Sequence, residues 1–125
     1  MPREIPYIDT TVSVEKTLTE IEELLRVHDA SHVMKEYDMG HIKAVGFRHG
    51  GVPFQLPAKV DALYQYLLAQ KAHSKVYSVR HPDQAAKVRL HDQAERCAWR
   101  NVMAWVKAQL ALVEIGMVTV TEVFL

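Results

Sequence analysis

Between Pro82 and Gly116 the chain has no helix-breaking residue, and this run constrains the fold more than any other feature. Proline suits the first turn of a helix, and glycine just past the end accepts the left-handed conformation that stops one. A helix from Pro82 to Ile115 would be roughly 50 Å long. Stepping 100° per residue places Leu90, Ala94, Cys97, Ala104, Trp105, Ala108, Leu112 and Ile115 on one side. Trp99, Val102, Met103, Val106, Leu110 and Val113 lie nearly opposite. The distal half is apolar on both sides, so burial on both sides is expected. Two arrangements satisfy it. One face packs on a sheet while the other meets a second copy, giving a homodimer held by Trp99, Val102, Val106 and Leu110 or by their opposite face. Alternatively, two further helices flank the long one and complete a monomeric core.

A narrow strip separates the two apolar sides. Arg89, Arg96, Arg100 and Lys107 fall on it at spacings of 7, 4 and 7, within about 20° of one line. Aligned cations on a rigid helix can follow a phosphate backbone, so these four are the candidate contacts for an anionic partner. DNA, RNA and an acidic protein surface all remain open as that partner. So does a plain solvated helix face, since arginine and lysine keep their heads in water above apolar surroundings.

The rest of the chain reads as α+β. Val14, Leu18, Ile21, Leu24, Leu25 and His28 recur at helical spacing after Ser13, with Glu15 in the first turn where the helix dipole favours an anion. Residues 1–12, with Pro2 and Pro6, look like an extended lead-in. Val33–Tyr37, His41–Arg48 and Val52–Leu56 are three short strands. Asp38-Met39-Gly40 and His49-Gly50-Gly51 separate them as tight turns. The sequence does not decide which face of the middle strand is buried. Pro53 places the third strand at a sheet edge. Val60 to Leu68 fits a second, short helix, and residues 71–82 have no period and read as a mobile basic loop. Thr119 and Glu122 have capping-box spacing, which favours a terminal helix from Val120 over a strand. The expected fold is an N-terminal helix, a three-stranded antiparallel meander, a short helix, a long helix and a short terminal helix, in a single domain over 1–125.

Charge is balanced, with 15 basic and 15 acidic residues, but it is unevenly distributed. Residues 1–40 hold four basic and nine acidic side chains, whereas 71–107 hold eight basic and three acidic ones. The N-terminus lacks the apolar run of a signal peptide, and no stretch approaches the ~20 apolar residues of a membrane span. The expectation is a cytoplasmic protein with no membrane partner. Cys97 is the only cysteine, so neither an intramolecular disulfide nor a cysteine-based zinc site can form. It sits on an apolar helix face, where it reads as a core residue. None of the seven histidines falls into a spacing that marks a metal site, although His28 and His32 are four apart and His41 and His49 flank the middle strand. No serine elbow or phosphate-binding glycine loop occurs. The expectations are therefore no catalytic residue, no metal and no cofactor.

Three stretches carry a resemblance: SVEKTLTEIEELL at 13–25, PFQLP at 53–57 and AWRNVMAWVKAQLALVEIGMVTVTEVFL at 98–125. They resemble a family of small uncharacterised phage and prophage proteins. The matching residues include Ser13, Val14, Glu15, Lys16, Phe54, Leu56, Pro57, Trp99, Arg100, Lys107, Ala108, Leu110, Val113, Glu114 and Gly116. The resemblance implies a mobile-element accessory protein and brings no activity with it. The sequence thus points to a non-enzymatic binding protein that contacts nucleic acid through the long helix. The alternatives are a protein-interaction module, such as an inhibitor or assembly factor of a host or phage protein, and a metal-dependent enzyme.

Overall fold

A computed structural model describes residues 5–125; the first four residues of the expected lead-in lie outside that range. The order of elements is α1 (Val14–Val27), β1 (Ser31–Asp38), β2 (His41–His49), β3 (Val52–Pro57), α2 (Val60–Lys71), α3 (Tyr77–Arg80), α4 (Gln84–Glu114) and α5 (Val120–Phe124). The fold is α+β. Its contacts fall into two compact units. One holds the chain up to Val14 together with Lys59–Asn101; the other holds Glu15–Ala58 and Val102–Leu125.

The second unit contains the sheet, an antiparallel meander in the order β1-β2-β3. Both hairpins close through two-residue loops. Met39 and Gly40 have φ of 51° and 82°, and Gly50 and Gly51 have 58° and 81°. Two successive left-handed residues match the twist of the strands they join, which is why glycine marks both turns. Asp38 pairs with His41 and His49 with Val52 across these turns. β2 is buried on both faces, with Ile42 and Ala44 on one and Val45 and Phe47 on the other. That settles the face left open by its sequence. β3 is an edge, and Pro53 stands in it opposite Arg48. β1 is the other edge and is exposed along most of its length, with register shifts between Ser31 and Met34 and between Glu36 and Tyr37.

The core of this unit gathers Leu18, Ile21 and Leu25 of α1, the four inward residues Val45, Phe47, Phe54 and Leu56, and Met103, Val106 and Leu110 of α4. Phe124 of α5 meets Phe47 and Phe54 edge-on at 5.7 and 6.4 Å, and Trp105 at 5.2 Å. Such ring pairs add to plain area burial. Two α1 acids pair locally: Glu23 with Arg26, and Glu22 with Lys35 of β1 at 2.8 Å. That hydrogen bond to Glu22 holds the Lys35 ammonium above its usual pKa.

The first unit holds α2, α3 and the first half of α4, and its N-terminal segment is tied down. Tyr7 takes a positive φ of 63° and its carbonyl accepts from the Thr10 amide, so the expected extended lead-in contains a turn. Residues 71–82, expected as an aperiodic loop, hold the single helical turn α3. Ser74 organises it by accepting from the Val76 amide through Oγ and from Arg80 through its carbonyl. One turn has too few residues to print a period. α4 begins after Asp83, whose carboxylate accepts from the Ala86 amide at 2.8 Å as an N-cap, so Pro82 precedes the helix instead of opening it.

Two helices end in the same motif. Asp29 (φ 68°) and Gly116 (φ 82°) follow α1 and α4. The amides of Ala30 and Met117 reach back to the carbonyls of Leu25 and Leu112, both at 2.9 Å. This is a Schellman cap. Thr119 caps α5 by accepting from the Glu122 amide, as its spacing predicts. The burial of α4 differs from expectation. Around 94–99 both sides are buried, through Ala94 and Cys97 on one and Trp99 on the other. In the distal half only the Met103, Val106 and Leu110 side is buried, while Trp105 is 44% exposed and Ile115 69%.

The turns generate a pair of opposite expectations. Gly116→Ala meets no steric neighbour within 4 Å, so its cost is the left-handed backbone alone, about 1 kcal/mol. Met39→Asn places a residue tolerant of that conformation at an exposed turn position and should stabilise by a few tenths of a kcal/mol, up to about 1. Urea melts of the two variants check both signs.

Candidate functional site

The four cations of the strip are not equally available. Arg89 and Lys107 are exposed, and neither has a side-chain partner among the described residues. Arg96 is half-buried and spends its guanidinium on the Gln93 side chain, with Nε donating to Oε1 at 3.2 Å. Arg100 is also half-buried and already engaged. Of the residues expected at a dimer interface, Trp99, Val106 and Leu110 are 0%, 0% and 2% exposed within one chain, and Val102 is half-buried. Trp99, Val106 and Leu110 are thus covered within one chain, whereas Val102 keeps part of its surface open. The Trp99 indole Nε1 has no hydrogen-bond partner among the described residues, so this side chain acts as apolar filling.

Gln93 explains the fate of Arg96. Its Nε2 donates to the carbonyls of Ile8 and Thr10 at 2.8 and 3.0 Å while Oε1 accepts from Arg96. Two turns later Asn101 Nδ2 donates to the Pro6 carbonyl at 2.7 Å and to the Cys97 carbonyl at 3.0 Å. These two amides strap the N-terminal segment along α4. Cys97 lies beneath the strap, fully buried, with Sγ 3.5 Å from the Pro6 carbonyl. Burial pushes its thiol pKa up, so it is held protonated and is a poor nucleophile.

Beside the strap, the C-terminal end of α2, α3 and the start of α4 enclose a cleft of about 520 Å³. Lys71, Ser78, His81, Asp83 and Arg89 supply its polar lining, and Val79 and Leu90 supply apolar wall. A second hollow of about 510 Å³ shares Lys71, Val79, Leu90 and Gln93 with it and adds Ile8, Asp9, Leu67, Gln70 and Ser74. The volume suits a small ligand. The His81 and Tyr77 rings lie tilted against each other with centroids 4.4 Å apart, and the Arg80 guanidinium lies over the Tyr77 ring, 5.9 Å from its centroid. Tyr77 itself is 70% exposed. Sequence reasoning singled out Arg89 but not Lys71, Ser78 or His81 as its neighbours. Only the basic composition of 71–82 hinted at them.

The stretch from Lys71 to Arg89 holds five cations, Lys71, Lys75, Arg80, Lys87 and Arg89, against the single carboxylate of Asp83. All except Arg80 lack a side-chain partner among the described residues. Among the described residues no helix is long and apolar enough to cross a membrane. No family model, no curated protein and no solved structure matches the chain.

Alkylation is the check on Cys97. A thiol reagent near neutral pH should modify it slowly in the folded protein and rapidly once urea unfolds the chain. Equal rates in both states would contradict the protonated, buried thiol.

Proposed function

We propose that this protein is a non-enzymatic accessory binding protein of phage or mobile-element type, acting in the cytoplasm on nucleic acid. The observation that supports it is the run of unpartnered cations between Lys71 and Arg89, with the exposed ring of Tyr77 among them. Cations supply the sequence-independent attraction to phosphates, and an exposed aromatic face offers a base something to stack on. Within this stretch five cations stand against the single carboxylate of Asp83, which makes it a concentration of one sign of charge. The working surface is therefore Lys75, Lys87 and Arg89 together with Lys71. Arg96 and Arg100 support it from half-buried positions, and Lys107 belongs to the distal part of α4.

Fluorescence anisotropy with a labelled 20-nucleotide single strand and the matching duplex tests the proposal at about 50 and 200 mM salt. Affinity should fall steeply between the two. Lys87→Gln with Arg89→Gln should flatten the salt slope by about two, one unit per lost phosphate contact, and leave the melting temperature unchanged. Arg96→Ala should behave oppositely, lowering stability by about 1 kcal/mol as the Gln93 acceptor loses its partner. Absence of binding to DNA and RNA at low salt would refute the nucleic-acid reading and leave an acidic protein as the partner.

A second reading, self-association as a homodimer, has its own observation. The outer side of distal α4 leaves Trp105 and Ile115 exposed, and Met117 follows at 68% exposure. A patch of this kind on a small protein is commonly an interaction surface. Light scattering at high micromolar concentration should then give twice the chain mass, and Ile115→Lys should return it to one. A single-chain mass for the unmodified protein would eliminate the homodimer.

A further inference from the structure

The cleft formed by α2, α3 and the start of α4 has a donor and acceptor pattern more specific than a generic basic surface. Arg89 and Lys71 line it without side-chain partners among the described residues, and the Ser78 hydroxyl lines it beside them. A planar guanidinium can hold a phosphate through two parallel hydrogen bonds, and an ammonium adds a compact second charge. Asp83 is the one carboxylate in its lining. One carboxylate oxygen is occupied by the Ala86 amide in capping α4, which leaves the other able to accept. Val79 and Leu90 give the same cleft an apolar wall. Its far side is fixed, because both ends of the Gln93 amide are already bonded. A rigid wall spares a ligand the cost of ordering it.

A simple inorganic anion would use the donors and leave the apolar wall and the acceptor idle. An apolar ligand would strand the charges. A molecule that carries a phosphate, a hydroxyl or amine to donate, and a flat apolar face uses all three. We infer that the cleft is a seat for one nucleoside monophosphate unit, with the phosphate held by Lys71 and Arg89 and the ring lying on Val79 and Leu90. The ligand class rests on the nucleic-acid reading above, whereas the shape rests on the cleft alone. The unit can be a free mononucleotide or the 5′-phosphorylated end of a strand, since both present the same chemistry.

Calorimetric titration with adenosine 5′-monophosphate, adenosine and inorganic phosphate tests it. Saturable binding of the monophosphate is expected, with adenosine and phosphate each at least about tenfold weaker. Arg89→Gln and Lys71→Gln should each weaken the monophosphate by about tenfold or more. Lys75→Gln, a cation absent from the cleft lining, should leave it unchanged while still weakening a polynucleotide. Comparing oligonucleotides with 5′-phosphate and 5′-hydroxyl ends separates the two sources: preference for the phosphorylated end assigns a strand terminus, and equal affinity assigns the free mononucleotide. Polynucleotide binding with no response to the monophosphate would overturn the cleft and spare the broader reading. Monophosphate binding with no affinity for any polynucleotide would do the reverse. If phosphate alone matches the monophosphate, the seat is an anion site and the nucleotide assignment is lost.

Discussion

In the first unit, the side-chain amide of Gln93 governs what surrounds it. Its two donor hydrogens go to main-chain carbonyls more than eighty residues earlier, and its oxygen accepts from Arg96. A primary amide has two donors and one carbonyl, and here both ends are used in a partly buried place where an unmet group would cost about 1–3 kcal/mol. Three consequences follow. The N-terminal segment is held in place, Arg96 is drawn off the solvent-facing line that the helical wheel assigned to it, and the adjacent cleft gains a wall that cannot rotate away. The neighbouring Asn101 amide repeats the arrangement at Pro6 and closes the segment over the Cys97 thiol.

Charge distribution follows a similar logic. The chain is neutral as a whole, yet its acids and bases are disposed of differently. In α1 and β1, partners lie three residues away or across a short loop, so Glu23 finds Arg26 and Glu22 finds Lys35. Exposed pairs of this type add little to stability, at most about 1 kcal/mol each. Their effect is to cancel field near α1. Between Lys71 and Arg89 the one carboxylate is tied to a helix terminus, so no comparable cancellation occurs there. The positive stretch is thus defined by how few acids lie within it.

Much of the fold was legible because it is local. Glycine pairs and a single glycine past a helix signal left-handed backbone within three residues, and Thr119 with Glu122 signals a cap within one turn. Pro53 marked an edge because a missing amide hydrogen excludes an interior strand. The long helix was legible for the same reason. What the wheel could not supply was the identity of the cover on each side. Val106 and Trp105 are adjacent in sequence and equally apolar, yet one is buried and the other 44% exposed. A period gives direction about an axis and says nothing of which element lies in that direction. The cleft escaped detection for a related reason: Lys71, Ser78 and Arg89 belong to three elements, and one of these is a single turn with no period to read.

The first strand of the sheet has a bearing on how the molecule behaves in crowded solution. β1 leaves one row of amides and carbonyls unpaired, with Met34 and Tyr37 exposed on it at 64% and 59%. Such a row is a template on which further chains can be added one after another. Two register shifts break it, one beside His32, which itself has a positive φ of 52°. Only Met34, Lys35 and Glu36 run in unbroken register between them, and two of the three are charged. An incoming strand would find three consecutive rungs before the ladder changes direction, too few to repay its lost freedom. This edge is in that way a poor template for growth, and adding strands to it would first require β1 to straighten.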